Sequence, residues 1–537
     1  MQSLPSRPLL LSGFMATGKT TVAGHLAAKW GVPVVDLDKK IEGRAGMSIA
    51  ALFQTAGEAA FRALEREVLL SELSRHENQL CVISLGGGAL LDRELRIKVL
   101  SGAIVISLSA SVETIVARVR AQDGNRGTRP LLAGAEPERA VARLLSEREN
   151  AYREAHGVVK TDGRPVAEIA DDVERLVRDD AVVVAAGEQT YRVLIGPGLI
   201  EPHLGALLGA PSGTLLVTDQ NVNPLHGAKA RGVLDQTGVT AAEVVLTPGE
   251  EHKNLGGLAH IFQAAFNHGL DRQATFVGLG GGVVTDMTGF AAATWVRGVR
   301  WVGLPTTLLS MVDASVGGKT AVDFETAKNS VGAFWQPSGV ICDVATLLTE
   351  TDRAYVGALS EVVKTALIGD PGLFELLESQ SARILARDLN LLRVIVDRCV
   401  RVKARIVALD ERESGIRAHL NLGHTLGHAL ESSGGYTALT HGEAVSLGLV
   451  AALRFGEKKG HTPPRLTARV LALLKELKLP HHLDRHALQE STRLLGHDKK
   501  RAGSKVRFVF ARAVGDVFSE ATDLAELQQE AVLLADG

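Results

Sequence analysis

The sequence predicts an α/β protein made of two sheet domains and a third, mostly helical one, with boundaries at 1–178, 179–345 and 346–537. Three observations carry that expectation. Short apolar runs alternate with stretches of helical spacing in the first third of the chain, the same alternation starts afresh near Asp179–Ala181, and helix formers dominate beyond Thr349. At 537 residues the chain is several domains long, and 45% hydrophobic with 22% charged residues is ample for several packed cores.

Taken in order, the apolar run from Leu9 leads into a glycine-rich turn, Thr20–Trp30 reads as a helix, and Val32–Leu37 as a strand. Cys81–Leu85 and Ile104–Leu108 supply further strands, while Pro137–Glu154 and Val166–Arg178 have helical periodicity, so a parallel sheet is expected. Ala181–Ala186 and Tyr191–Ile195 then read as a hairpin ahead of a Gly-Pro-Gly turn. Leu215–Thr218, Glu243–Leu246, Thr275–Gly278 and Trp301–Leu304 are short strands separated by helical stretches, the pattern of a second open sheet. In the last part Leu391–Leu409 and Leu466–Leu477 are long periodic helices, with one short strand at Val506–Phe510.

Charge excludes some partners. Fifty-nine Lys and Arg stand against 61 Asp and Glu, a formal charge of -2, so neither nucleic acid nor an acidic membrane is an expected partner. The three cysteines (Cys81, Cys342, Cys399) lie far apart without CxxC spacing, which points to a reducing compartment. No stretch approaches the roughly 18 apolar residues of a membrane span, and the Pro8–Phe14 run is too short for a signal peptide. The expectation is a cytoplasmic protein that binds small molecules.

Gly13-Phe-Met-Ala-Thr-Gly18-Lys19-Thr20 fits the phosphate-loop pattern between a strand and a helix. Gly13, Gly18 and the helix N-terminus would cradle phosphates, Lys19 would neutralise them, and the Thr20 hydroxyl would ligate magnesium. Asp36 and Asp38 are expected to close the second strand, Phe61-Arg62 to lie on a helix, and Gly86-Gly87-Gly88 to follow a strand. Asp36 would hold magnesium through water, Asp38 would accept hydrogen bonds from substrate hydroxyls, Arg62 would clamp a carboxylate, and the glycines would let backbone approach a ring. Taken singly, Arg62 is equally a surface charge on a helix.

This constellation resembles shikimate kinase over nearly all of residues 7–178, through the phosphate loop, Asp36-Leu-Asp38, Phe61-Arg62, Leu85-Gly-Gly-Gly88, Arg129-Pro-Leu-Leu132, and Arg148 four residues before Tyr152. The resemblance implies ATP with Mg2+ on the loop, and shikimate held by Asp38, Arg62, Gly86, Gly87, Gly88 and Arg148. It also implies that Arg129 reaches over the phosphates from a lid, with help from Arg120 and Arg126. Asp38 would be the base or orienting group for in-line transfer of the γ-phosphoryl group to the 3-hydroxyl. Ala16 stands where this family usually has glycine, and its methyl is harmless at negative φ but weakens ATP binding if the loop needs a left-handed residue. A non-catalytic ligand sensor is the competing reading of this half, and Lys19, Thr20, Asp38 and Arg62 argue against it.

Farther on, Gly278-Leu-Gly-Gly-Gly-Val-Val-Thr-Asp286 follows a strand and opens a helix, which suits a dinucleotide pyrophosphate. Asn421-Leu-Gly-His424-Thr-Leu-Gly-His428 and His441-Gly-Glu443 bring three histidines into one short stretch. The His424/His428 pair shares a helix face, as two metal ligands or as one ligand beside a catalytic group. Glu361, three positions before Lys364, would supply an oxygen ligand. Arg297, Lys319, Lys328, Lys364, Lys403, Arg417 and Lys499 add more positive charge in apolar, glycine-rich segments than a solvated face needs, so an anionic, phosphorylated substrate is expected.

These residues resemble 3-dehydroquinate synthase across about Val182–Phe510. The matching motifs are Pro248-Gly-Glu-Glu-His-Lys253, Gly280–Asp286, Arg297-Gly298, the run Leu304–Thr320, Lys328-Asn329, Glu361-Val-Val-Lys364 and the histidine cluster. The resemblance implies Zn2+, with Co2+ possible, on Glu361, His424 and His441, and His428 as a proton relay beside it. It implies NAD on Asp219, Asn221, Glu250, Lys253, Gly282–Asp286, Thr306, Thr307, Thr346 and Thr349, with Lys319 and Lys328 nearby. Substrate would meet Asp313, Lys319, Asn329, Lys364, Lys403, Arg417, Asn421 and Lys499, and Arg297, Lys319, Lys364 and His428 would take part in catalysis. Thr285 departs from the usual glycine and puts the pyrophosphate turn in question.

The implied reaction turns 3-deoxy-D-arabino-heptulosonate 7-phosphate into 3-dehydroquinate and phosphate, with NAD regenerated each turnover. A metal- and NAD-dependent polyol dehydrogenase is the competing reading, which the cations disfavour because a neutral polyol does not need them. A homodimer through this part follows from the resemblance alone. The two steps are not consecutive, so a fused chain implies fixed stoichiometry rather than channelling.

Overall fold

A computed structural model describes residues 4–123, 136–187, 189–325, 327–433, 439–494, 501–502 and 505–535. The chain divides into two compact units, Met1–Arg192 and Val193–Gly537.

In the first unit, strands β1 (Leu9–Gly13), β2 (Val34–Asp36), β3 (Val82–Ser84), β4 (Ile104–Ser109) and β5 (Gly157–Lys160) form one sheet in the order β2-β3-β1-β4-β5. Every pairing is parallel. Leu9, Leu11, Ile104, Ile106 and Val159 pack against Val22 and Leu26 of the helix Lys19–Trp30 and against Val173 and Val177 of the helix Val166–Asp179. Leu10 and Val105, on the opposite face, are equally buried, so strands covered on both sides read as unbroken apolar runs. One expectation needs correcting: the second strand stops at Asp36, whose carboxylate accepts the Lys39 amide at 3.3 Å and caps the helix Leu37–Ala45. Asp38 therefore sits in the first turn of that helix rather than at the end of a strand. The helix Ile49–Arg75, interrupted at Gly57 with φ 80°, carries Phe61 and Arg62.

The next strands are β6 (Val182–Ala186), β7 (Gln189–Gly196), β8 (Gly213–Asp219), β9 (Thr240–Leu246), β10 (Thr275–Gly280), β11 (Arg300–Pro305), β12 (Lys319–Phe324), β13 (Ala327–Phe334) and β14 (Gly339–Asp343). The unit division falls inside β7, and the sheet runs β6-β7-β14-β11-β10-β8-β9. From β14 to β9 the neighbours are parallel. The strand order reverses between β10 and β8, and the crevice at the carboxyl ends of those two strands is where an open α/β sheet takes a ligand. β12 and β13 form a separate antiparallel hairpin that the sequence reading missed.

Beyond the sheet the chain is helical, with Asp352–Gly369, Pro371–Leu385, Leu389–Leu409, His424–Ser433, His441–Lys458 and Pro464–Glu476 as its main elements. The expected strand near Val506–Phe510 is the middle of β16 (Lys505–Ala513), which pairs with β15 (Arg501–Ala502) and β17 (Asp516–Asp523). No described helix is long and apolar enough to cross a membrane.

The helices Asp352–Gly369 and His441–Lys458 are buried along nearly their whole lengths. They cross at two glycines, where a Cβ on Gly442 would lie 2.2 Å from the Gly357 carbonyl oxygen. Thr440 and Glu443 close the start of the second helix as a capping box, worth about 1 kcal/mol. Gly442→Ala should therefore destabilise the second unit by about 1–3 kcal/mol through overpacking. Gly232→Ala, in a helix with nothing within 4 Å of the added methyl, should stabilise it by about 0.5–1 kcal/mol. Urea unfolding of the two variants measures both signs, and equal midpoints would contradict the crossing.

Candidate active sites

In the first unit the loop after β1 needs glycine where it starts. Gly13 has φ 129°, and a Cβ there would meet the Leu108 carbonyl at 2.2 Å. Gly18, with φ 95°, precedes the helix Lys19–Trp30 without offering a side-chain cap, so the first amides of that helix remain for an anion. Lys19 folds back on its own loop, donating to the carbonyls of Gly13 and Phe14 at 2.8 Å each, and Thr20 Oγ1 lies 3.2 Å from Ser84 Oγ. Arg118, from the helix Val112–Asp123, donates to the Ala16 carbonyl at 3.1 Å.

The triple glycine is the floor between the other groups. A Cβ on Gly86 would touch Glu65 Oε1 at 2.8 Å and Asp38 Oδ1 at 3.0 Å, and one on Gly88 would meet Arg62 at 2.6 Å. Gly87 accepts from Tyr152 Oη at 2.6 Å and from Arg148 at 3.5 Å. Burial, with help from Asp36, pushes the Asp38 carboxyl up against the pull of Lys19 and Arg62. Burial raises Glu65 likewise, although Arg62 donates to it at 2.6 Å. Asp38, Arg62, the glycines and Arg148 thus converge. Arg120 instead pairs with Glu138 at 2.8 Å, and Arg126 and Arg129 lie outside the described residues.

In the second unit β8 ends at Asp219, whose Oδ1 accepts the amides of Asn221 and Val222. β10 is followed by Gly281 and the helix Gly282–Thr294, again without a side-chain cap. Thr285 does not crowd that turn: it is buried, and its hydroxyl bonds back to the carbonyls of Gly281 and Gly282 at 3.3 and 3.1 Å. Thr307 packs on Gly281, and Thr306 Oγ1 is buried without a partner. Thr346 donates to the Thr306 carbonyl at 3.4 Å, while Thr349 meets His226 at 2.8 Å. Lys253, buried, donates to Asp286 at 2.6 Å and to Asn329 at 2.5 Å, with Glu250 at 3.9 Å. Burial pushes the Asp286 carboxyl up to about 6 despite Lys253.

Next to this lies the histidine cluster. Glu361, only 1% exposed, has Oε1 3.4 Å from His424 Nε2 and 3.5 Å from His441 Nε2, and that oxygen has no hydrogen-bond partner among the described residues. Glu361, His424 and His441 each offer one ligand atom, all within 4.8 Å of one another, which fits a cation held by two imidazoles and a carboxylate. Burial raises the Glu361 carboxyl most, but its buried ion pair with Lys364 and the neighbouring His441 together hold it below its usual range. Burial alone would lower His441, but Glu361 and Glu431 raise it to about 9. Two carboxylates facing one imidazole make this pocket favourable to positive charge. Lys403 donates to Asp313 at 2.6 Å, Lys319 pairs with Glu413, and Asn421 donates to the same Glu413 at 2.6 Å. Arg417 is buried and donates to the Gly317 carbonyl at 3.0 Å.

Comparison with known proteins fits this geometry. Residues 243–356 and 358–501 match the family models for the N-terminal and C-terminal parts of 3-dehydroquinate synthase, and residues 15–178 match that for shikimate kinase. The 3-dehydroquinate synthase of Geobacter metallireducens is 42% identical over 339 residues, 63% of this chain and 94% of that protein. That of Caulobacter vibrioides is 42% identical over 365 residues, 66% and 98%. The chain belongs to the 3-dehydroquinate synthase family. A solved 2-epi-5-epi-valiolone synthase from Streptomyces hygroscopicus, with NAD+ and Zn2+ bound, shares its fold at TM-score 0.59 and 26% identity, covering 65% of this chain and 97% of its own. With the shikimate kinase match ahead of the synthase, one chain carries two enzymes of the shikimate pathway, and the dehydrogenase alternative is not favoured.

Within the synthase unit, Lys319 and Asn421 meet on Glu413 and Lys403 pairs with Asp313, while Lys364, His424, His428 and His441 cluster with Glu361. Lys328 joins this cluster to Glu250, at 4.0 Å. Arg297 stays outside: it is exposed, has φ 69°, and pairs with no described residue. Lys499 is among the residues not described. Three acids escaped the sequence reading, namely Glu65, Glu413 and Glu431. Spacing could have found two of them, since Glu65 is three residues after Arg62 and Glu431 three after His428 on their helices.

In the kinase loop, Ala16 has φ 60°, the left-handed region in which an alanine costs about 1–2 kcal/mol. Ala16→Gly should raise the stability of this unit by up to about 1 kcal/mol in denaturant unfolding, without loss of ATP affinity. A destabilised Ala16→Gly would contradict the left-handed conformation.

Proposed function

We propose that the kinase unit transfers the γ-phosphoryl group of ATP to the 3-hydroxyl of shikimate, with its nucleotide on the loop Gly13–Thr20 and Mg2+ on Thr20. The uncapped helix start and the inward Lys19 support that reading. Gly86–Gly88, Arg62 and Arg148 hold the substrate, Arg62 and Arg148 facing its carboxylate. Asp38 orients the hydroxyl and takes its proton, and burial, by raising its carboxyl, makes it a stronger base than an exposed aspartate. Lys19, and Arg129 from the lid segment, offset the charge of the phosphates.

The second unit acts on 3-deoxy-D-arabino-heptulosonate 7-phosphate to give 3-dehydroquinate and phosphate. The observation that carries this reading is the convergence of Glu361, His424 and His441 beside a field of lysines. Bound at these residues, Zn2+ or Co2+ would polarise the substrate hydroxyls, and NAD would accept and return a hydride at C5. Asp219, Asn221, Glu250, Lys253, Gly282, Asp286, Thr306, Thr307, Thr346 and Thr349 line the dinucleotide site along the carboxyl ends of the sheet. Lys319, Lys403, Arg417, Asn329 and Asn421 hold the anionic substrate, with Arg297 and Lys499 as further cations. Lys364 sets the charge on Glu361, and His428 relays protons. The substrate phosphate itself takes the proton lost before elimination. A cytoplasmic homodimer joined through the synthase part completes the proposal.

Phosphate release from the heptulosonate phosphate should require both metal and NAD and produce no net NADH. It should be abolished by chelation and by His424→Ala. NADH accumulating with phosphate retained would mean a dehydrogenase instead. In the kinase, Asp38→Asn should lower kcat by about 10²–10⁴ with little change in the KM for ATP, as read in a coupled ADP assay. An unchanged kcat would remove Asp38 from catalysis.

A further inference from the structure

We propose that Glu431 is a positioning residue of the synthase metal centre, holding His441 with its Nε2 toward Glu361 so that this histidine binds metal tightly. The inference rests on the reading of Glu361, His424 and His441 as the metal ligands.

Positions 424, 428 and 431 share one face of the helix His424–Ser433, so the helix that supplies one ligand also brings a carboxylate to the same cluster. Glu431 is 4% exposed. Its Oε2 lies 3.5 Å from His441 Nδ1, and its Oε1 accepts from Lys328 Nζ at 2.8 Å. The two nitrogens of His441 thus face two different carboxylates, Nδ1 toward Glu431 and Nε2 toward Glu361 at 3.5 Å. His424 has the same arrangement with a backbone acceptor. Its Nδ1 lies 3.3 Å from the Leu422 carbonyl, which leaves Nε2 pointing to Glu361. In both rings the nitrogen away from Glu361 is tied to an acceptor. That tie keeps the proton on Nδ1 and the lone pair on Nε2, and it raises the basicity of the ligating nitrogen. Lys328 comes from β13 and is 4.0 Å from Glu250, so the carboxylate that orients His441 is itself fixed from the hairpin. His428, Glu431 and His441 could also be taken for a second ion site, since their ligand atoms lie within 4.8 Å of one another. Against that, Glu431 is already neutralised by the Lys328 ammonium at 2.8 Å, which would repel a second cation.

The test is Zn2+ affinity of the full chain without substrate or NAD, measured by competition with a chromophoric chelator, with stoichiometry from equilibrium dialysis. Glu431→Gln should weaken Zn2+ binding about 10–100-fold and speed its release, with one ion still bound per chain. Lys328→Met should weaken it by less. Should Glu431→Gln not fold, as judged by circular dichroism, Glu431→Asp carries the same expectation because it withdraws the carboxylate by one methylene. Affinity within twofold of the parent in a folded variant would overturn the proposal, and so would a second bound ion lost on substitution. His441→Ala and Glu361→Gln separate the two levels of inference. If they lose Zn2+ and Glu431→Gln keeps it, only the role of Glu431 fails, whereas retention in all three means the ligand reading itself is wrong.

Discussion

The synthase unit depends on how closely two buried helices approach at Gly357 and Gly442. Glu361 is one turn beyond the first of these glycines, and His441 is the residue before the second. With a side chain at the crossing the helices would part, and the carboxylate and imidazole would no longer face each other across 3.5 Å. A second close approach acts in the same way, since a Cβ on Gly448 would lie 2.0 Å from the Gly423 carbonyl, just before His424. Glu361, His424 and His441 are therefore positioned by backbone packing on two sides, which suits the metal site proposed for them.

The second constraint is charge. Buried ions are tolerated only when each has a partner, and here the cations and carboxylates are matched one to another: Lys253 with Asp286, Lys364 with Glu361, Lys403 with Asp313, Lys328 with Glu431. Lys364 and Glu361 share the helix Asp352–Gly369, and the other three pairs each tie one element to another. An arriving phosphorylated substrate finds positive charge already held in place, and its cost of reorganisation is small.

Much of this was legible because it is local. The phosphate loop, the glycine turn before Asp286 and the pair His424/His428 are encoded within single segments, and the parallel strands stand out because they are buried on both faces. What escaped the reading is set by distance in sequence. Glu413 matters through Lys319, 94 positions earlier, and nothing marks it among 61 acidic residues. The hairpin β12–β13 was missed because its residues are mostly half-buried or exposed, so no unbroken apolar run marks it. Asp38 was placed on a strand because the capping role of Asp36 shows only once the chain turns. The left-handed Ala16 was foreseen only as a condition, since φ is a property of the folded loop.

The inward-turned Lys19 has a consequence for turnover. Its ammonium already has two carbonyl partners inside the loop, at Gly13 and Phe14. Binding a nucleotide is then an exchange of acceptors, and departure of ADP reverses it, so the buried cation is not stranded when product leaves. The loop's own carbonyls thus serve as the counter-ligand of its lysine.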